Sequence, residues 1–374
     1  MHKIQMVDLH NQYLKIKSET DAAIQDVLDQ GYYINGAPVH KFSENLATYL
    51  NVAHVIPCAN GTDALQIALM ALELQPGDEV ITSPFTFVAT AEVIALLKLK
   101  PVFVDIDPDT YLIDVNKIEA AITPRTRCII PVHLFGQIAN MEKINEIAQR
   151  HNLYVVEDNA QAIGADYTFA NGNQVKAGTI GHIGCTSFYP SKNLGCYGDG
   201  GALMTNDGKL AEKIKVICNH GSKQKYYHEE IGVNSRLDSI QAGILDIKLK
   251  HLDQYITERQ RAAEYYDRHL SDIDGIQIPV RTKHSTHVFH QYTLFVDKDR
   301  DRLKDSLQES GIPSMVYYPV PLHVQAAYTG DGYKAGDFPH SEKAARHVLS
   351  LPMHTELSDE MLGYICTKIR EAFI

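Results

Sequence analysis

The sequence predicts an α/β fold: a large domain over residues 1–250 on a mainly parallel sheet, with an N-terminal arm, and a small C-terminal α+β domain over 251–374. Two observations carry this. From His54 onward, short β-branched runs alternate with helical patterns, as right-handed βαβ units require. From about Ser271 that alternation gives way to a strand, a helix, another extended run and two final helices. The length of 374 residues, with 44% hydrophobic and 22% charged, suits two such units of ordinary globular composition.

Tyr13–Leu28 has helical periodicity, the run from Gly31 to Pro38 breaks it, and Val39–Leu50 resumes it. His54–Cys58 reads as a strand. Asn60, Gly61, Thr62 and Asp63 then open a helix through Leu72. Small and hydroxyl residues at such a junction leave free N–H groups at the positive end of a helix, which favours an anion. The same residues also read as plain N-capping. Glu79–Ser83 is the next strand, and Phe87 follows it before a helix through Leu97. Ligands of open α/β sheets sit at such strand ends, although a phenylalanine there is equally at home in a core.

Pro101–Asp105, Arg127–Val132 and Asn152–Val156 continue the strands, with helical patterns at Asp114–Ile122 and Met141–His151 between them. No G-x-G-x-x-G follows any of them, which argues against a dinucleotide site. Asp158 ends the fifth strand; buried, its carboxylate needs a cationic or hydrogen-bonded partner, and exposed, it is an ordinary strand end. Residues 166–182 read as a loop. Ala202–Thr205 is a strand, Lys209–Cys218 a helix, and a long helix from about Asp238 to Leu270 crosses between domains. His287–Val296 alternates like a strand and Pro313–Tyr318 is extended. Arg300–Ser310, Ser341–Leu349 and Ser358–Phe373 are helical.

The net charge of −11 without a basic tract argues against nucleic acid as a partner. The six cysteines are scattered without C-x-x-C, and the 18 histidines form no H-E-x-x-H, so neither disulfides nor a metal are expected. The chain shows no signal-peptide pattern and no apolar run of membrane-spanning length, so a cytoplasmic protein without a membrane partner is expected.

The stretch from Cys185 to Gly201 concentrates the chemistry. Gly195, Gly198, Gly200 and Gly201 surround Tyr197 and Asp199, and Lys192 stands at the mouth of that loop. A lysine desolvated beside an apolar strand is a good Schiff-base former, whereas a solvated loop lysine is inert. The run Ser187-Phe-Tyr-Pro-Ser-Lys192-Asn-Leu-Gly195-Cys-Tyr-Gly198-Asp-Gly-Gly201 resembles the lysine motif of the DegT/DnrJ/StrS family of pyridoxal-phosphate (PLP) sugar aminotransferases. Other segments resemble it in the same order, from residue 8 to about 355. They are Gly61-Thr-Asp63, Phe85-Thr-Phe87, Asp158-Asn-Ala-Gln161, Asn234-Ser-Arg236-Leu-Asp238 and Tyr318-Pro-Val-Pro-Leu322.

That resemblance implies PLP-dependent transferase fold type I, like aspartate aminotransferase. It implies that Lys192 binds PLP and serves as the base, while Asp158 holds the pyridine nitrogen. Gly61, Thr62 and Ser187 would grip the phosphate, with Asn234 from a second subunit of a homodimer. Phe87 would stack on the ring and Gln161 lie near its hydroxyl. Arg236, Tyr317 and Tyr318 would face the substrate. The implied reaction is transamination of a nucleotide-linked keto-sugar with L-glutamate as donor. The runs 58–66, 120–126, 190–201 and 232–238 are most similar to the subgroup acting on UDP-2-acetamido-2-deoxy-3-oxo-D-glucuronate in O-antigen synthesis. Tyr317 departs from that subgroup, where a histidine is expected. Transamination of another 3- or 4-keto sugar linked to dTDP or GDP is the alternative. A sugar dehydratase is a further one, disfavoured because that branch carries histidine at the position of Lys192.

Overall fold

The structure, a computed structural model, describes residues 3–373. Its helices are α1 (Leu9–Lys15), α2 (Lys17–Gln30), α3 (Ala37–Leu50), α4 (Gly61–Ala71), α5 (Ala89–Leu96), α6 (Val115–Ile118), α7 (Met141–His151), α8 (Gly208–Cys218), α9 (Ser239–Leu249), α10 (Leu252–Leu270), α11 (Arg300–Glu309), α12 (Pro339–His347) and α13 (Asp359–Ala372). Its strands are β1 (His54–Cys58), β2 (Glu79–Thr82), β3 (Lys100–Phe103), β4 (Thr126–Ile129), β5 (Tyr154–Asp158), β6 (Asp166–Thr168), β7 (Gln174–Lys176), β8 (Ile183–Ser187), β9 (Gly201–Thr205), β10 (Ile276–Gln277), β11 (Tyr292–Val296) and β12 (Val348–Leu351).

Seven strands form one sheet in the order β1-β9-β8-β5-β4-β2-β3. The run from β8 to β3 is parallel, and β9 is antiparallel to both its neighbours. Strands covered on both faces carry continuous apolar runs rather than alternation. Accordingly every residue of β2 and of β9 is buried. One face packs under α3, α7 and α9 through Phe42, Leu46, Ile144, Ile147 and Leu245. The other packs under α4, α5 and α8 through Leu65, Leu69, Ile94, Ile214 and Ile217. A second sheet, β10-β11-β12, is antiparallel and buries Tyr292, Leu294 and Leu349 against Tyr266, Leu307, Leu362 and Ile365.

Four elements differ from the sequence expectation. The helix expected over 13–28 is two, because the Ile16 N–H reaches back only three residues to Tyr13 and tightens the turn. The long helix after Asp238 likewise divides into α9 and α10, where the N–H groups of Lys250 and His251 reach Ile247 and Lys248. A single tightened turn leaves the apolar period intact, so periodicity cannot reveal it. Residues 166–182 hold a hairpin, β6 with β7, whose three-residue strands are too short to alternate visibly. The helix expected to end at Leu349 stops at His347, since Val348–Leu351 pairs with β11 as β12.

Candidate active site

At the carboxyl ends of the parallel strands lies a cleft of about 740 Å³. Gly61, Thr62, Phe87, Asp158, Gln161, Ser187, Lys192, Tyr317 and Tyr318 all line it, so nine of the residues singled out in the sequence meet there. Asn60 caps α4, its Oδ1 accepting from the Asp63 N–H at 2.8 Å. The capping reading is thus correct and also leaves the amides of Gly61 and Thr62 free for an anion at the cleft. A Cβ on Gly61 would stand 2.7 Å from Ser187 Cβ. Only glycine lets the start of α4 approach the end of β8 this closely.

Asp158 is 6% exposed at the end of β5. Its Oδ2 accepts from the Thr90 hydroxyl at 2.7 Å and its Oδ1 from the Ala160 N–H at 3.2 Å. Its neighbour Glu157 is fully buried, not a solvated strand end. The Glu157 carboxylate pairs with His133 Nε2 at 2.8 Å and accepts from the N–H groups of Gly178, Ile180 and Gly181. Gln161 donates from Nε2 to Tyr318 Oη at 3.0 Å and accepts from the Phe135 N–H at 2.7 Å. The Phe87 ring is 55% exposed. It lies tilted to Tyr318 with centroids 6.5 Å apart. An apolar face open to a cleft has no core to serve, which removes the ordinary core reading.

Lys192 is partly buried. Burial pulls its amine down to about 8, against the nearby Asp158 charge, which pulls it up. The amine therefore loses its proton far more readily than a solvated lysine. The loop that carries it is held from several sides. Asn193 donates to the Val288 carbonyl at 2.8 Å, and Lys248 on α9 donates to the Gly195 carbonyl at 2.6 Å while lying 5.0 Å from the Tyr197 ring centroid. A Cβ on Gly195 would stand 2.4 Å from the Pro190 carbonyl oxygen, so the loop closes on itself only with glycine there. His290 lines the same cleft, and burial, aided by the Lys192 charge, keeps its imidazole neutral.

Two residues stand apart. Asn234 is exposed, Arg236 is partly buried, and neither lines this chain's cleft. Among the described residues Arg236 makes no ion pair, so a bridge to Asp238 does not form. Sequence reasoning missed Thr90, Glu157, Lys248 and His290. Thr90 had one usable signal, its place one helical turn beyond Phe87.

An amine, a carboxylate and a helix N-terminus line a single cleft. The residues therefore fit a flat, phosphate-bearing, basic ring compound. This sheet order and site define a PLP-dependent transferase of fold type I. The chain belongs to the DegT/DnrJ/EryC1/StrS aminotransferase family, whose profile matches residues 14–370. Members of that family transaminate sugars, and PLP is their cofactor. The chain is 50% identical to a pleiotropic regulatory protein of Geobacillus stearothermophilus, over 99% of this chain and 98% of that one. It is 47% identical to the UDP-2-acetamido-2-deoxy-3-oxo-D-glucuronate aminotransferase of Pseudomonas aeruginosa, over 98% of this chain and 99% of that one. Its structure matches that of S. venezuelae DesV in complex with a ketimine intermediate, with a TM-score of 0.95 and 40% identity over 99% and 98% of the two chains.

Proposed function

We propose that this chain transfers the amino group of L-glutamate to C3 of UDP-2-acetamido-2-deoxy-3-oxo-D-glucuronate, for surface polysaccharide (O-antigen) synthesis in the cytoplasm. The carrying observation is the Lys192 amine, lowered to about 8 by burial, in one cleft with Asp158. PLP, when bound, supplies the electron sink that lets the donor's Cα–H ionise. Lys192 would anchor the cofactor through its amine, and the same amine, when released, would be the base that moves the proton from the donor's Cα. Asp158 holds the pyridine nitrogen in its charged form. The amides of Gly61 and Thr62 and the Ser187 hydroxyl hold the phosphate. Phe87 would cover one face of the ring, and Gln161, tied to Tyr318, would lie by its hydroxyl. Tyr317 and Tyr318 bound the sugar side. The large domain over 1–250 holds the cofactor, and 251–374 closes the site.

A homodimer completes it. Tyr32, Tyr33, Ile34, Tyr226, Tyr227 and Ile231 are all exposed apolar side chains, at 45% to 86%. The Ile34–Asp238 bridge ties the first group to the segment of Asn234 and Arg236. Apolar side chains this exposed favour cover by a second copy. Asn234 then reaches the partner's phosphate site, and the unpaired Arg236 meets the uronate carboxylate with two parallel hydrogen bonds. A regulatory role without turnover, suggested by the name of one relative, would tolerate loss of Lys192 or Asp158, and both are present. Transamination of a neutral dTDP- or GDP-linked keto-sugar is the reading that Arg236 disfavours.

The test compares kcat/KM for the uronate and for the matching neutral 3-keto sugar, in wild type and in Arg236→Ala. The variant is expected to lose the uronate preference, by about tenfold or more, with an unchanged glutamate half-reaction. Equal losses on both sugars would refute the uronate assignment.

A further inference from the structure

A carboxylate at a strand end is not oriented by its backbone. The last torsion of an aspartate is broad and roughly two-fold, so hydrogen bonds must fix the plane. The Asp158 main chain is well held, its N–H donating to the Pro131 carbonyl and its own carbonyl accepting from His133, both at 3.0 Å. Its side chain is held by much less. Among the described residues one side chain donates to it, Thr90 at 2.7 Å, and the other contact is the longer one from the Ala160 N–H.

Thr90 is fully buried in the first turn of α5. In a helix, a threonine hydroxyl commonly bonds back to a carbonyl of the preceding turn. Here it lies 3.3 Å from the Thr86 hydroxyl and turns to Asp158, 68 residues away in sequence. Thr86 itself lines the cleft, and Phe87 follows it immediately. One rigid turn therefore carries the ring face at Phe87 and the partner of the carboxylate at Thr90. The Thr90 N–H also reaches the Phe87 carbonyl at 3.4 Å, which ties the two together.

We propose that Thr90 is a positioning residue for transamination: with Thr86 behind it, its hydroxyl holds Asp158 Oδ2 so that the carboxylate presents its remaining lone pairs to the pyridine nitrogen. This role rests on the assignment of Asp158 to that nitrogen. Thr90 touches neither cofactor nor substrate, and it acts only through Asp158. The same contact registers the carboxylate to the turn that bears Phe87.

The experiment uses the PLP-loaded enzyme as wild type, Thr90→Val, Thr90→Ser, Asp158→Asn and the Thr90→Val/Asp158→Asn double variant. The readouts are the rate of the glutamate half-reaction and the ¹⁵N resonance of a ring-labelled cofactor. Valine preserves the shape of threonine, and its loss of one hydrogen bond to a charged group is expected to slow the half-reaction about ten- to a hundredfold. The ring-nitrogen resonance moves toward its position in Asp158→Asn, and Thr90→Ser restores both signals. The double variant is no slower than Asp158→Asn alone, because the hydroxyl has lost the group it acts through. A Thr90→Val enzyme that matches wild type, while Asp158→Asn is crippled, would overturn the role of Thr90 alone. Fully additive losses in the double variant would overturn it too, by assigning Thr90 to packing of α5. An Asp158→Asn enzyme with wild-type rate and resonance would overturn the assignment of Asp158, and this role with it.

Discussion

Replacing Lys248 by methionine tests the electrostatics beneath the Lys192 loop. The side chain is almost wholly buried in α9. Burial lowers its amine from 10.5 to about 8; the Cys196 thiol opposes this and the Arg259 charge adds to it. A folded-state value below the unfolded one means that, between those limits, the unfolded chain holds a proton that the folded chain has released. The amine therefore weakens folding in full below about pH 8, and the penalty fades as the pH rises toward 10.5. The whole gap corresponds to about 3 kcal/mol, of which about 2 kcal/mol disappears between about pH 7 and about pH 9.5. Methionine has no proton to release and lacks this dependence. It also leaves the Gly195 carbonyl without its donor, a loss of about 1–3 kcal/mol at either pH. Urea unfolding of the loaded enzyme, at one saturating cofactor concentration, measures both variants. The deficit of Lys248→Met relative to wild type should grow by about 2 kcal/mol from the lower to the higher pH. A deficit equal at the two values would refute the claim that burial lowers this amine below its unfolded value.

Three further outcomes are expected. Lys192→Ala loses the visible absorption band of the loaded enzyme and all turnover, since the anchor and the base go together; an intact band would mean that another lysine holds the cofactor. Gly61→Ala sets a methyl group 2.7 Å from Ser187 Cβ. The start of α4 must then move off β8, and PLP affinity measured by equilibrium dialysis falls at least about tenfold; unchanged affinity would remove the phosphate from this helix end. Ile231→Arg puts a charge on a residue that is 86% exposed in the proposed dimer face. Sedimentation velocity should show a shift to monomer, with turnover lost in proportion, and a dimer that persists on dilution would place the interface elsewhere.

The alternation of strands and helices in the large sheet, the break in character after Ser271, and the places of Lys192 and Asp158 beside strands were legible in the sequence alone. Each depends on a few neighbouring residues: a period of two or of about four, a glycine cluster, a strand that stops at an acid. The nine residues that meet in the cleft were named through the family resemblance; Phe87 and Asp158 among them also follow strands of the parallel sheet, whose ends gather on one side. What surrounds them could not be read this way. Whether Glu157 is solvated depends on β5 lying between β8 and β4, and no local window contains that order. The Thr90–Asp158 bond joins positions 68 residues apart, and the Lys248–Gly195 bond positions 53 apart. The breaks before α2 and α10 shift a hydrogen bond by one residue without disturbing the apolar stripe. The sequence by itself determines most of the elements and the positions at which these groups fall along them, because propensity and periodicity are local. The tertiary structure decides their ionisation and orientation, because desolvation and side-chain hydrogen bonds come from residues brought close only by the packing of the sheet.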